Sequence, residues 1–176
     1  SIFCEVQHGH LMRVGYDMYN RLLDEVVKEE RGEKVEEQED ITIDINLSAY
    51  IPETYIEDSS QKIEIYQAIA DCKNEEHIQN VIDEIIDRYG NLPDEVNNLM
   101  EIARIKNLAR EKNVSKIQKR PDGVVFTLKD FDMSKLDMIL EKYMYKIKFT
   151  AGLKPYITLY IKPNDIEGIK EFLNTL

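Results

Sequence analysis

Asp83, Glu84 and Asp87 fall within about one helical turn of one another, and Arg88 adjoins them. Carboxylates held this way on a rigid helix accept hydrogen bonds and charge from a basic partner. The guanidinium donates in return, and such contacts favour one partner over others. The competing reading is an ordinary solvated helix face, and spacing alone leaves both open. Other candidates for chemistry are sparse. His8 and His10 lie two apart, but two imidazoles without further ligands do not make a metal site, so no metal is expected. Cys4 and Cys72 are isolated, with no redox or metal-ligand spacing, which fits a reducing compartment. The chain contains no G-x-x-x-x-G-K-[ST], H-E-x-x-H, G-x-S-x-G or G-x-G-x-x-G. No catalytic residues and no cofactor are expected.

The four charged residues need a helix to hold them. Ile78, Val81, Ile82, Ile85, Ile86 and Tyr89 recur at the three-and-four spacing of one buried helical face. That places Asn80, Asp83, Glu84, Asp87 and Arg88 outward. Asn74 is positioned to cap the start, Gly90 to end the helix in a left-handed conformation, and Pro93 to open the next helix. Upstream, Asp58 and Gln61 have capping-box spacing, and Ile63, Tyr66, Ile69 and Ala70 form the expected buried face. Tyr50, Ile51, Tyr55 and Ile56 are expected to pin the Pro-containing connection before it. A third helix runs from about Pro93 to about Lys112. Its apolar stripe is too wide for a surface helix, so burial on two sides is expected. Arg104, Lys106, Arg110 and Lys112 cluster toward its end, where cations interact favourably with the helix dipole.

Around this three-helix block the pattern changes. Leu11, Val14, Met18, Leu22 and Val26 form a helical stripe near the N-terminus, and Lys28 to Asp40 is a charged linker. Ile41, Ile43, Ile45 and Leu47 alternate as a strand. From Val114 the order is strand, strand, helix, strand, strand, helix, with a turn at Arg120-Pro121-Asp122-Gly123. Ser134 to Tyr143 is the first of those helices. Tyr145, Ile147 and Phe149 then alternate, Tyr156 to Ile161 follows, and Ile166, Ile169, Phe172, Leu173 and Leu176 line the last helix. The predicted class is α+β. A mainly antiparallel sheet of about five strands packs against helices, with the three-helix block and an N-terminal helical appendage. The expected division is residues 1–40, a helix and linker, and residues 41–176, one domain.

Composition bounds the function. The 176 residues carry a net charge of -11, with 43% hydrophobic and 32% charged residues. That balance argues against a duplex-binding surface, which needs clustered Lys and Arg, and suits a basic protein partner. No apolar run reaches membrane-spanning length and no signal peptide is visible, so no membrane role is expected.

The run Ile85, Ile86, Asp87, Arg88, Tyr89, Gly90, Leu92, Pro93, with the upstream IPETYIEDSSQKIEIYQAIA, resembles the C-terminal domain of bacterial transcription-repair coupling factors. EVQHGH, with Gln7, His8 and Gly9, resembles the end of the translocation motif that these factors share with the branch-migrating helicase RecG. The VGYDMY of Val14 to Tyr19 resembles the start of the helix that follows. Cys4 departs from that motif, where Gly is usual. The resemblance implies a cytoplasmic, ATP-dependent DNA translocase acting on RNA polymerase stalled at DNA damage. It implies that Gln7 helps relay nucleotide state to translocation in the intact motor. It further implies that this domain restrains the motor and docks on the N-terminal UvrA-recruiting module of the same polypeptide, covering the surface that binds UvrA. UvrA, RNA polymerase and duplex DNA would then be indirect partners. On that reading Glu84 and Asp87 accept from basic groups of the module and Arg88 donates to it. The alternatives are a DNA-contacting accessory module of a helicase-like protein and an unrecognised enzyme.

Overall fold

The computed structural model describes residues 41–176. Those residues form two compact units, one of Ser48–Arg104 and one of residues 41–47 with Ile105–Leu176.

The first unit is helical. Helix α1 spans Ser59–Ala70 and α2 spans Glu75–Tyr89; α3, Asp94–Glu111, begins in this unit. Local chemistry sets the helix ends. The Asp58 side chain accepts from the Gln61 backbone N–H, and the Asn74 side chain accepts from that of His77. The Pro93 carbonyl accepts from Val96 and Asn97 at the start of α3. Gly90 ends α2 with φ of 87° and ψ of -168°. The positive φ is as expected, but the extended ψ differs from a left-handed helical stop.

The buried face of α1 differs from its sequence reading. Lys62, Ile65, Tyr66 and Ile69 are buried, while Ile63 and Ala70 are only partly so. The register fits an i, i+3, i+4, i+7 stripe only if a lysine belongs to it. The aliphatic stem of Lys62 fills that position, with its amino group 4.0 Å from Glu53. The connection before α1 is pinned as expected. Ile51 and Ile56 are buried, and the Ile51 N–H donates to the Tyr66 hydroxyl at 2.7 Å. In α3, Val96, Leu99, Met100, Ile102, Ala103, Ile105 and Ala109 are all buried, which is more than one helical face can hold.

The second unit is a sheet with helices packed on the face that carries Phe126. Its strands are β1 (Thr42–Asp44), β2 (Val114–Arg120), β3 (Gly123–Leu128), β4 (Ile147–Thr150) and β5 (Tyr156–Leu159), in the order β1-β2-β3-β5-β4. Helix α4 spans Leu136–Tyr143, between 3-10 turns at Met133–Lys135 and Met144–Lys146; α5 spans Ile166–Thr175. The α+β class and the mostly antiparallel five-strand sheet hold among the described residues. Only β1 runs parallel to its neighbour, β2. The whole helical stretch lies between β1 and β2 in sequence, which leaves room for a crossover that a short turn forbids.

Two strand boundaries shift. The alternation from Ile41 to Leu47 buries Ile43 and Ile45, but only Thr42–Asp44 joins the ladder. Tyr145 falls in a 3-10 turn rather than a strand and is 93% exposed. On the inner face, Ile43, Ile117, Phe126 and Ile157 register across the strands. Phe126 packs on Phe172 of α5 with ring centroids 4.6 Å apart. In the β2–β3 turn, Gly123 is needed for a reason invisible locally. A Cβ there would collide with the Leu159 carbonyl of β5.

Candidate docking surface

Asp83, Glu84, Asp87 and Arg88 all lie exposed on α2, as does Asn80. Glu84 and Arg88 form an i, i+4 pair at 3.8 Å, an exposed contact of small energetic weight. Arg88 also covers the Tyr89 ring, 5.0 Å from its centroid. The guanidinium thus has two weak partners on its own helix, and Asp83 and Asp87 form no ion pair among the described residues.

Both ends of α2 are fastened. At its start, Arg104 grips Glu75 with two N–H groups, each at 2.9 Å, and reaches Glu101 at 2.7 Å. The hydrogen bonds that Arg104 donates to Glu75 are the main reason its guanidinium titrates above its ordinary range. This fork commits Arg104 to carboxylates on its own unit and removes it from any phosphate-binding cluster. At the other end, the Tyr55 hydroxyl donates to the Gly90 carbonyl at 2.6 Å, and Tyr55 stacks at a tilt on Tyr89, 6.0 Å away. The Tyr89 hydroxyl donates to Gln61 at 3.1 Å. That use of Gln61 replaces the second half of the expected capping box, although the Asp58 half forms. Burial, and secondarily Tyr89, push the Tyr55 phenol up in pKa.

One residue of this surface contradicts its sequence reading. Ile86 is 40% exposed rather than part of the buried face. Ile85 and Ile86 are about 100° apart around a helix, so where Ile85 centres the buried stripe Ile86 falls at or beyond its edge. Ile85 is fully buried, and Ile86 sits beside the acidic residues. The doublet was the available signal.

Gln7, Gly9, His8, His10 and Cys4 lie outside the described residues. Among the described residues no group of three or more His, Cys, Asp or Glu is arranged to hold a metal. No helix among them is long and apolar enough to cross a membrane. A surface depression of about 550 Å³ is lined by α4 and α5 residues, among them Lys142, Glu167, Lys170 and Thr175. Lys170 there pairs with Glu167 at 2.9 Å, and Lys142 donates to Thr175. These side chains satisfy one another rather than converge on an empty point.

Residues 45–139 match the family model of the TRCF domain, a span that includes all of α1, α2 and α3. The chain belongs to the TRCF domain family. A transcription-repair-coupling factor of Bacillus subtilis is 39% identical over 132 residues, covering 74% of this chain and 11% of the relative. One of Rickettsia typhi is 33% identical over 184 residues, covering 100% of this chain and 16% of the relative. This TRCF domain therefore spans a small fraction of the curated relatives it matches. A crystal structure of the C-terminal domain of transcription-repair coupling factor shares the fold, with a TM-score of 0.65 at 24% identity. That likeness covers 77% of this chain and 89% of the solved one. The resemblance read from Ile85 to Pro93 is borne out, and the acidic face of α2 lies inside the family segment.

Proposed function

We propose that this TRCF domain is a regulatory docking domain of an ATP-dependent DNA translocase, one that couples stalled transcription to nucleotide excision repair. The outward face of α2 docks on an N-terminal module of the same polypeptide. In doing so it restrains the motor and masks the surface that recruits UvrA. RNA polymerase and duplex DNA are met by the parent protein, in the cytoplasm, and this domain adds no catalysis of its own. Residues 1–40 bring the end of the translocation motif and a charged tether, and residues 41–176 bring the regulation.

The observation that carries this reading is the anchored, exposed face formed by Asp83, Glu84, Asp87 and Arg88, with Ile86 beside it. Fastening at Glu75 and at Tyr89–Gly90 orders these groups in advance, which lowers the entropy cost of docking. Charge on such a face sets selectivity, and Ile86 adds apolar area beside it.

The test replaces Glu84, Asp87 and Arg88 by Ala in the intact translocase. Tighter UvrA binding and faster ATP hydrolysis are expected, approaching the effect of deleting residues 41–176. If the deletion tightens binding and the triple variant does not, docking uses another face.

A further inference from the structure

We propose that the open face of the five-stranded sheet binds a single strand of nucleic acid. The net charge of -11 conceals two units of opposite sign. Residues 48–104 carry thirteen Asp and Glu against four Lys and Arg, a net -9. Residues 41–47 and 105–176 carry ten against fourteen, a net +4. The acidic balance that disfavours phosphate binding is a property of the chain outside the sheet unit.

The strand registers fix which residues share the outer face. Lys116 registers with Thr127, Thr127 with Tyr156, and, one step along, Gln118 and Thr158 flank Val125 while Lys148 registers with Thr158. The opposite face carries the buried row of Ile117, Phe126 and Ile157 and packs on helices. The outer face is therefore polar and solvent-facing, with only Val125 buried on it among these central positions. Its one acid among the strand positions, Asp44, lies 3.9 Å from Lys119 in a half-exposed pair. Lys116 and Lys148 on the face, and Arg120 at its margin, form no ion pair among the described residues.

Lys116 and Lys148 stand three strand spacings apart and two residues out of register, roughly 16 Å at the usual strand dimensions. Between them lie Tyr156, Thr127 and Thr158, with Gln118 beside Lys116 on the same strand. Cations flanking an aromatic residue on a sheet face fit a strand whose phosphates meet the cations and whose base stacks on the ring. A duplex offers no free base face to that ring. An acidic protein segment would satisfy the lysines and leave the ring unused. This inference does not rest on the docking role of α2.

The experiment measures fluorescence anisotropy of a labelled single-stranded oligonucleotide of mixed sequence with the whole 176-residue chain. Binding at low salt is expected, with log affinity falling against log salt at a slope of about -2 for three phosphate contacts on a single strand. Lys116→Glu with Lys148→Glu should weaken binding at least ~10-fold, as loss of two such contacts requires. Lys116→Gln with Lys148→Gln, which imposes no repulsion, should weaken it less and melt like the wild type. Tyr156→Ala should weaken binding several-fold and leave the salt slope unchanged, because stacking releases no counterions. Asp83→Asn with Asp87→Asn should bind as wild type does. No binding at low salt would overturn the proposal, as would unchanged binding by the folded Gln variant. Displacement by polyglutamate, with Tyr156→Ala silent, would overturn it in favour of an acidic protein partner.

Discussion

The helical unit and the sheet unit solve the same problem with different chemistry. The helical unit is acidic and built on local signals: an Asp cap, an Asn cap, a Pro start and a Gly stop, each within a few residues of the helix it bounds. Besides an apolar core, its distant contacts include polar clamps, Arg104 on Glu75 and Tyr55 on Gly90. The sheet unit is basic and built on non-local packing. Phe126, Ile157 and Phe172 are far apart in sequence and meet in one core. The comparison shows why charge averaged over a chain misleads. A surface recognises a partner with the charge of its own few residues, screened from the rest within about 10 Å at ordinary ionic strength.

The largest effects should come from the two cores. Phe172→Ala removes a fully buried ring in contact with Phe126 and Tyr143. It should cost about 3–5 kcal/mol, and Ile85→Ala in the helical unit about 2–5 kcal/mol. Hydrogen exchange sharpens the comparison. If residues 41–176 unfold as one domain, either substitution lowers protection in both units equally. Loss confined to the mutated unit would show two separate cooperative blocks, and the division at residue 40 would not be the one that matters. Limited proteolysis should still cut first between residues 28 and 40, where the sequence is a charged run.

The two structural glycines come next. Gly123→Ala drives a methyl group into the Leu159 carbonyl of an adjacent strand, so the sheet must shift, at about 1–3 kcal/mol as for other overpacked sites. Gly90→Ala meets no atom within 4 Å and is penalised only by its backbone, whose positive φ and extended ψ are adopted almost solely by glycine, at about 1–3 kcal/mol. Urea denaturation of both variants measures the two losses. A Gly123→Ala loss near zero would mean that β5 yields easily, and the non-local character assigned to the sheet would be overstated.

The smallest effect is a pH dependence in the helical unit. Burial, aided by Asp71, pushes the Cys72 thiol up from 9.0 to about 11. The folded form then holds its proton where the unfolded chain has lost it. This contribution to stability is complete below about pH 9 and is lost as pH rises through about 11. Tyr55, also raised by burial, contributes in the same direction at higher pH. Cys72→Ala should flatten the fall of melting temperature between pH 9 and 11. An unchanged slope would assign it to the tyrosines instead.

The α+β class, the helix caps and the exposed acidic face of α2 were legible from the sequence, because each depends on residues within one or two turns of each other. The family signature from Ile85 to Pro93 was legible for the same reason. Other features are not legible this way. Periodicity points to Ile63 where Lys62 and Ile65 are buried, since it gives no credit to a lysine stem. It also points Ile86 into the core, and alternation puts Tyr145 in a strand, whereas both are exposed.

What the sequence determined by itself, then, was where elements begin and end, and which charged residues face outward from α2. Hydrogen bonds to neighbouring backbone and a 3.6-residue period are enough for that. Only the tertiary structure decided that β5 inserts between β3 and β4, that Gly123 must lack a Cβ, and that Arg104 is consumed by Glu75. It alone brought Lys116, Tyr156 and Lys148 onto one face. Strand order and side-chain proximity across a sheet are set by contacts between residues distant in sequence, and no local pattern encodes which strand will lie beside which.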